Sequence, residues 1–501
     1  MRARRLWATA LAALLAVAAG GASTAGQAGA AYCEVTVTGT LTDAISGTPI
    51  VRGVAWIVSP DGSDYVNNPY WDATDAAGRY SIALGCRNGD AVVAASDSNQ
   101  FLYSTHYGRN ATDIAHAQPF SLRSPGEITG QDVLFTPPGW FVPVQPTRVI
   151  DTRDDAAGAL GPGASRTFPL DGLPADTTAV VLNVTATQGT ARSSFVSVVD
   201  EGLRSTPKQS SINTVAARDV ANLVTARIVP PAVSGRTQPQ VTLYNNSGTT
   251  HLVADLEGYY ATSAGAGLVP VAAVRALDTR SSTALGAGET RTLPLAPPEG
   301  AVAVAVTVTS TQASARTSFI SAFPAGDPDG PSTSTLNSYR GDDIANLAID
   351  PLGADGDIAV HNDQGTTHVV VDVVGWFVED DGAAYYPINP KRADQPMGFG
   401  LAGFVITNPD IEISKFSVAV LLNLTTVATT EPTYVTVWDQ GYPKPSTSNA
   451  NARPGADVGT AVLLRAHGGA HAMVEGGRGY SLGMLDVTGY FAVPGSTDLA
   501  P

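Results

Sequence analysis

At 501 residues the chain is too long for one hydrophobic core, and four domains of ordinary size are expected. Hydrophobic residues make up 44% and charged residues only 15%, with 51 Gly and 34 Pro, which suits short strands joined by many turns and argues against long solvated helices. The formal net charge of −16, with no basic run or basic–aromatic patch to offset it, argues against nucleic acid or an anionic lipid surface as a partner.

The first segment reads as a leader. Arg2, Arg4 and Arg5 form a positive start, residues 6–19 are an apolar run, and Ala28-Gly29-Ala30 or Gly29-Ala30-Ala31 is a cleavage site. Residues 1–31 are therefore expected to be a signal peptide and not a membrane span. Tyr32 stands before Cys33 where a lipidated cysteine needs a small residue, and residues 496–501 hold neither a hydrophobic tail nor a sorting motif. The expectation is a secreted, extracellular protein, either released or held at the cell wall by non-covalent contacts. The two cysteines, Cys33 and Cys86, are then expected to form one disulfide, worth roughly 3–4 kcal/mol on the chain-entropy account.

Residues 32–138 read as the first folded domain. Residues 34–42 alternate apolar and polar side chains, residues 43–49 read as a turn, and residues 51–58 and 79–84 as further strands. Period-two alternation between turns means half-buried antiparallel strands, hence a β-sandwich. Gly39-Thr40-Leu41-Thr42-Asp43, Gly47-Thr48-Pro49-Ile50 and Thr74-Asp75-Ala76-Ala77-Gly78-Arg79-Tyr80-Ser81-Ile82 resemble the carboxypeptidase-regulatory-like and collagen-adhesin B-type domains. So do Tyr107-Gly108, Ala115 and the closing Asp132-Val133-Leu134-Phe135. That resemblance implies a transthyretin-like sandwich used as a spacer on exported proteins. Some adhesin domains of this kind cross-link a Lys to an Asn, but this segment has no Lys, and the Cys33–Cys86 pair is the substitute staple.

The strongest signal is internal repetition. Val149-Ile150-Asp151-Thr152-Arg153 returns as Ala276-Leu277-Asp278-Thr279-Arg280, and Val220-Ala221-Asn222-Leu223 as Ile344-Ala345-Asn346-Leu347. Ala179-Val180-Val181-Leu182-Asn183-Val184-Thr185 has counterparts in residues 302–309 and 419–425. Each copy closes on an Asp three residues before Gly and two aromatics: Asp255 with Tyr259-Tyr260, Asp372 with Trp376-Phe377, and Asp486 with Tyr490-Phe491. The copies span residues 139–261, 268–378 and 384–494, each long enough for its own core and rich in Val, Leu, Ile and Thr without a sustained helical period. The expected fold is all-β throughout: tandem β-sandwich domains, one transthyretin-like and Ig-type, then three related sandwiches of jelly-roll type, joined at residues 262–267 and 379–383. The copies resemble C-terminal repeats of large secreted proteins of GC-rich Gram-positive bacteria, a resemblance that implies no shared ligand or catalytic residue.

The candidate chemistry lies in the repeated polar residues. Asp151 with Arg153, and Asp278 with Arg280, are two apart and share a face in a strand, so each pair is expected either to peg that strand to its neighbour or to hold a ligand. The third copy has Arg392-Ala393-Asp394 instead. Asp255, Asp372 and Asp486 are expected to be buried at a turn and to accept backbone N–H bonds, with metal or glycan binding as the alternative. His251 and His368 match in position but give way to Leu482. His467 and His471 are four apart in a glycine loop with no Glu beside them, so the zinc-protease arrangement is absent. Trp140, Tyr259, Tyr260, Trp376, Phe377, Tyr490 and Phe491 are either core or a strip for stacking sugars. No catalytic, cofactor or metal set is expected. The function read here is a non-enzymatic extracellular scaffold or adhesion-type protein, whose partner would be a cell-wall or extracellular polysaccharide or another surface protein. A glycan- or cell-wall-binding protein and an unrecognised hydrolase are the alternatives.

Overall fold

The computed structural model describes residues 33–60, 70–97, 106–108, 110–111, 117–200, 206–328, 330–392, 397–399, 404–407, 416–467 and 471–494. The expected signal peptide, Ala115 and Asp394 lie outside them. Strands make up every domain. The helical segments among the described residues are single turns, such as Pro231–Ser234.

The first domain holds β1 (Glu34–Asp43), β2 (Val54–Val58), β3 (Trp71–Ala73), β4 (Arg79–Gly85), β5 (Asp90–Ser96), β6 (His106–Tyr107), β7 (Phe120–Ser121), β8 (Gly126–Ile128) and β9 (Val133–Phe135). One sheet runs β4-β1-β8 with β9 also on β1; the other runs β3-β2-β5-β6 with β7 on β5. The alternation of β1 and β4 turns Val35, Val37, Tyr80 and Ile82 inward against Val93 and Phe135. β2 begins at Val54 and not at residue 51, because Arg52 takes a left-handed φ of 61° that ends an extended run. Cys33 and Cys86 form a disulfide just outside the paired ends Glu34 and Gly85, with Cα atoms 5.2 Å apart. Cys86→Ser is expected to destabilise this domain by about 3–4 kcal/mol and leave melting of the repeats unchanged, as read by calorimetry.

The first repeat comprises β10 (Trp140–Asp151), β11 (Ser165–Pro169), β12 (Thr177–Thr187), β13 (Ser194–Val199), β14 (Ile212–Thr214), β15 (Val220–Arg227), β16 (Gln240–Asn245) and β17 (His251–Ala261). The second follows with β18 (Gly267–Asp278), β19 (Glu289–Leu293), β20 (Ala301–Thr311), β21 (Thr317–Pro324), β22 (Leu336–Tyr339), β23 (Ile344–Pro351), β24 (Ile358–Asn362) and β25 (His368–Val378). The third has β26 (Ala384–Arg392), β27 (Met397–Phe399), β28 (Phe404–Thr407), β29 (Ser417–Val427), β30 (Thr433–Asp439), β31 (Ala450–Ala452), β32 (Val458–Arg465), β33 (His471–Gly476) and β34 (Ser481–Ala492). In repeat 1 the sheets run β10-β17-β12-β15 and β11-β16-β13-β14, and the other two repeats follow the same order, with β27 extending the path of β26 along β34. This is the jelly-roll order.

The three repeats close on one another about a pseudo-threefold axis. Each first strand reaches the stretch just before the next repeat's first strand. Phe141 pairs with Ala266, Leu268 with Ala383, and Tyr385 with Gly139, through backbone bonds of 2.8–2.9 Å in both directions. The segments read as linkers thus deliver Ala266 and Ala383 into these bridges. Gly265, with φ 137°, lies where a Cβ would meet the Trp140 carbonyl carbon at 2.6 Å, so the tight return needs glycine. Modules tandem in sequence are therefore one ring in space.

Burial explains why the third strand of each repeat is a continuous apolar run and not an alternating one. β12 is buried along its whole length. Val180, Leu182 and Val184 face the repeat's own outer sheet, while Ala179 and Val181 face the axis with Ala303, Ala305, Ala419 and Leu421. A sheet covered on both sides has no solvent face to require polar residues.

Candidate functional site

The closing aspartates are buried, as expected, but not at turns. Each lies within the last strand of its repeat and accepts a guanidinium from the first. Arg148 Nε donates to Asp255 at 2.9 Å, Arg275 Nε to Asp372 at 2.5 Å, and Arg392 Nε to Asp486 at 2.8 Å. The expected backbone N–H partners are thus replaced by an Arg, because Asp255 faces Arg148 directly across the β10–β17 ladder, and Asp486 faces Arg392 across β26–β34. Arg392 therefore corresponds to Arg148 and Arg275. It is not a counterpart of Arg153. Burial pushes all three carboxyls above their ordinary value, and the facing Arg pulls each back.

Asp151 and Arg153 do pair, and so do Asp278 and Arg280, but around a turn and not along a strand. β10 ends at Asp151, whose carboxylate accepts both the backbone N–H of Arg153 at 3.0 Å and its Nε at 2.8 Å. Asp278 does the same for Arg280 at 3.1 and 2.9 Å, capping the turn Thr279–Ser281. The guanidinium holds the Asp151 carboxyl down at about 2, and Asp278 lies well below the carboxylate range for the same reason. The Thr between them is fully buried. Thr152 accepts from the Leu252 N–H at 2.9 Å and meets His251 Nδ1 at 3.1 Å. Thr279 repeats this with Val369 at 2.8 Å and His368 at 3.2 Å. Asp, Thr, Arg and His are thus spent on fastening the end of the first strand to the last.

Repeat 3 has no Asp-Thr-Arg run in its sequence, and among the described residues Arg392 is the cation that holds Asp486. Arg392→Met is expected to raise the folded-state pKa of Asp486 further, so the variant should lose stability relative to wild type as pH rises through that value. Melting curves at pH 5 and pH 8 read the difference.

A second polar set, quoted in the sequence as strand signatures without a role, surrounds the axis. Asn222 donates to Asn423 at 2.9 Å and accepts from the Ala461 N–H at 2.9 Å, joining repeat 1 to repeat 3. Asn346 accepts from the Leu223 N–H at 3.2 Å and donates to Asn183 at 3.3 Å, joining repeat 2 to repeat 1. At one end of the axis Asp342 bridges Arg218 and Arg453, one residue from each repeat. Arg227, 4% exposed, binds Asp200 at 2.6 Å and reaches Thr136 and the Asn110 carbonyl, docking the first domain onto the ring. Period in the alignment could have flagged these asparagines as buried; partners in another repeat leave no trace in sequence.

Five of the seven aromatics are core. Tyr260, Phe377 and Phe491 meet at the axis with Phe141 and Tyr385, Phe141 and Phe377 having ring centroids 4.3 Å apart. Trp376 and Tyr490 are buried within their own repeats, Tyr490 stacked on Tyr386 at 4.9 Å. Tyr259 and Trp140 are half-buried, Tyr259 against its own repeat core. Of the two readings of these rings, core packing describes Tyr260, Trp376, Phe377, Tyr490 and Phe491. His467 packs edge-on to Tyr442 at 5.9 Å, and the loop between it and His471 lies outside the described residues. Among the described residues no three His, Cys, Asp or Glu converge as a metal would require.

The junctions between repeats differ. That between repeats 2 and 3 opens into a groove of about 670 Å³, on whose walls Arg280 and Asp372 of the sequence-predicted set appear. The repeat 3–1 junction keeps a cavity of about 180 Å³ beside Asn222, Asn423 and Asp486.

No family model matches the chain, and no curated protein matches it. Among solved structures it is similar to a DUF3823 family protein from Parabacteroides merdae, at 10% identity and TM-score 0.14 over 45% of this chain and 100% of that one. It is similar to a triple jelly-roll protein of an archaeal virus, at 8% identity and TM-score 0.16 over 71% of this chain and 91% of that one. The major pilin subunit of Bacillus cereus gives 11% identity and TM-score 0.17 over 71% and 90%. None of these similarities is close enough to carry an argument about this chain.

Proposed function

We propose that the chain is an exported, non-enzymatic scaffold or adhesion-type protein, in which a transthyretin-like spacer carries a rigid three-lobed head. One observation supports this most: the polar residues repeated across the copies bond to one another within the protein. The Asp–Arg pairs, the Thr–His contacts and the axial asparagines all join strand to strand or repeat to repeat. Residues kept for catalysis would converge on a cleft with a nucleophile or a general base in reach of substrate. The Cys33–Cys86 disulfide fits an oxidising compartment, and no helix among the described residues is long and apolar enough to cross a membrane.

Fractionation of the producing culture with thiol alkylation tests the reading. The protein is expected in the medium or wall fraction with both cysteines oxidised, and inert on glycoside, ester and peptide substrates. A cytoplasmic protein with free thiols, or turnover abolished by Asp372→Asn without loss of fold, would overturn it.

A further inference from the structure

The groove between repeats 2 and 3 is lined by side chains that differ from those at the matching positions of the repeat 1–2 junction. At the 1–2 junction Ser332 donates to the Pro146 carbonyl at 3.0 Å, and Tyr339 donates to Asp219 while lying 3.9 Å beneath the Arg218 guanidinium. In repeat 3 the position of Tyr339 is held by Arg453, which turns to Asp342 at 2.9 Å, and the space stays open. The strand facing it has changed as well. Phe195 packs on Tyr244 in repeat 1, and Phe319 on His361 in repeat 2. Their counterpart in repeat 3 is Tyr434, paired in register with Asn451 as Phe319 is with Asn337. The ring partner is replaced by Glu475, which binds Lys444 instead. Tyr434 is left 49% exposed on the groove wall, with its ring over Gly477, where a Cβ would collide with it.

The groove offers mixed donors and acceptors, and of its cations all but Arg478 are held by a carboxylate. Arg275 and Arg280 are neutralised by Asp372 and Asp278, Arg453 by Asp342, and Lys444 by Glu475. Asn451 Nδ2 is buried in this wall with no protein acceptor, and Ser446 and Ser448 add hydroxyls. A volume of about 670 Å³ is in the range of small-ligand sites. A charged polymer would gain little from cations already paired. A pyranose chain matches the rest: vicinal hydroxyls suit amide, carboxylate and guanidinium groups, and its C–H face suits an exposed tyrosine ring.

We propose that this groove binds a neutral oligosaccharide segment, with Tyr434 as its stacking platform. This goes beyond the scaffold reading and gives the head one specific face. The test is affinity electrophoresis of the full chain in gels containing amylose, mannan, galactan or β-1,3-glucan, with polygalacturonate as the anionic arm. At least one neutral polymer is expected to retard the chain. Tyr434→Ala is expected to weaken that retardation about tenfold or more with melting unchanged, since the ring is exposed. Retardation by none of the neutral polymers, by polygalacturonate alone, or equally for Tyr434→Ala and wild type would overturn the proposal. None of these outcomes bears on where the protein is exported.

Discussion

Phe377→Ala is expected to lower the stability of all three repeats together, by about 3–5 kcal/mol, and not that of repeat 2 alone. The ring is fully buried and lies at the axis with centroids 4.3 Å from Phe141, 6.5 Å from Tyr260 and 6.2 Å from Phe491. Truncation leaves a void lined by residues of every copy. That void cannot collapse without shifting the bridges at Gly139, Ala266 and Ala383. Denaturant titration followed by hydrogen exchange reads the effect: protection in β12, β20 and β29 should fall in step. Loss confined to β20 and its neighbours would mean that the repeats are stable one by one.

The second large effect is a pH dependence set by two buried acids. Asp350 is fully buried, one carboxylate oxygen has no partner, and burial raises its pKa to about 7. Glu257 is buried too, and is raised well above the usual value by burial and then by the charges of Asp350 and Asp255. A folded pKa above the unfolded one means that the folded state holds the proton more tightly. The contribution to stability is therefore complete below about pH 4 and is lost as pH rises to about 7. The residue before the same glycine is Val374 in repeat 2 and Thr488 in repeat 3, so Glu257 is not demanded by the fold. Asp350→Asn and Glu257→Val are each expected to raise the urea midpoint at pH 8 more than at pH 5. Equal changes at both pH values would mean that the acids are not protonated in the folded protein.

Much of this architecture is legible in the sequence, and its limits have physical causes. Period-two patterning and the turn residues point to sandwiches, and the repeated blocks mark strands that recur at the same places in each jelly roll. The continuous apolar runs at residues 179–182 and 303–306 are explained by sheets covered on both faces. What covered them was not readable, because a surface that packs on another copy of itself has the same composition as a core. The Arg148–Asp255 pair shows a different limit. Its 107-residue separation is bridged only by strand register, and the Asp-Thr-Arg motif sets Arg392-Ala393-Asp394 against itself, which hides the match of Arg392 with Arg148. Arg at three residues before Asp in both Arg148 and Arg275 was the overlooked signal. Tyr434 carried no signal at all: its exposure depends on the replacement of a ring on the neighbouring strand by Glu475.

Closure of the ring is most directly tested by small-angle X-ray scattering on the purified chain. Three repeats packed about one axis, with the first domain docked through Arg227, predict a radius of gyration of about 23–26 Å, close to that of a single compact body of this length. A value of roughly 40 Å, as for four sandwiches strung end to end, would contradict the axial core and the account built on it.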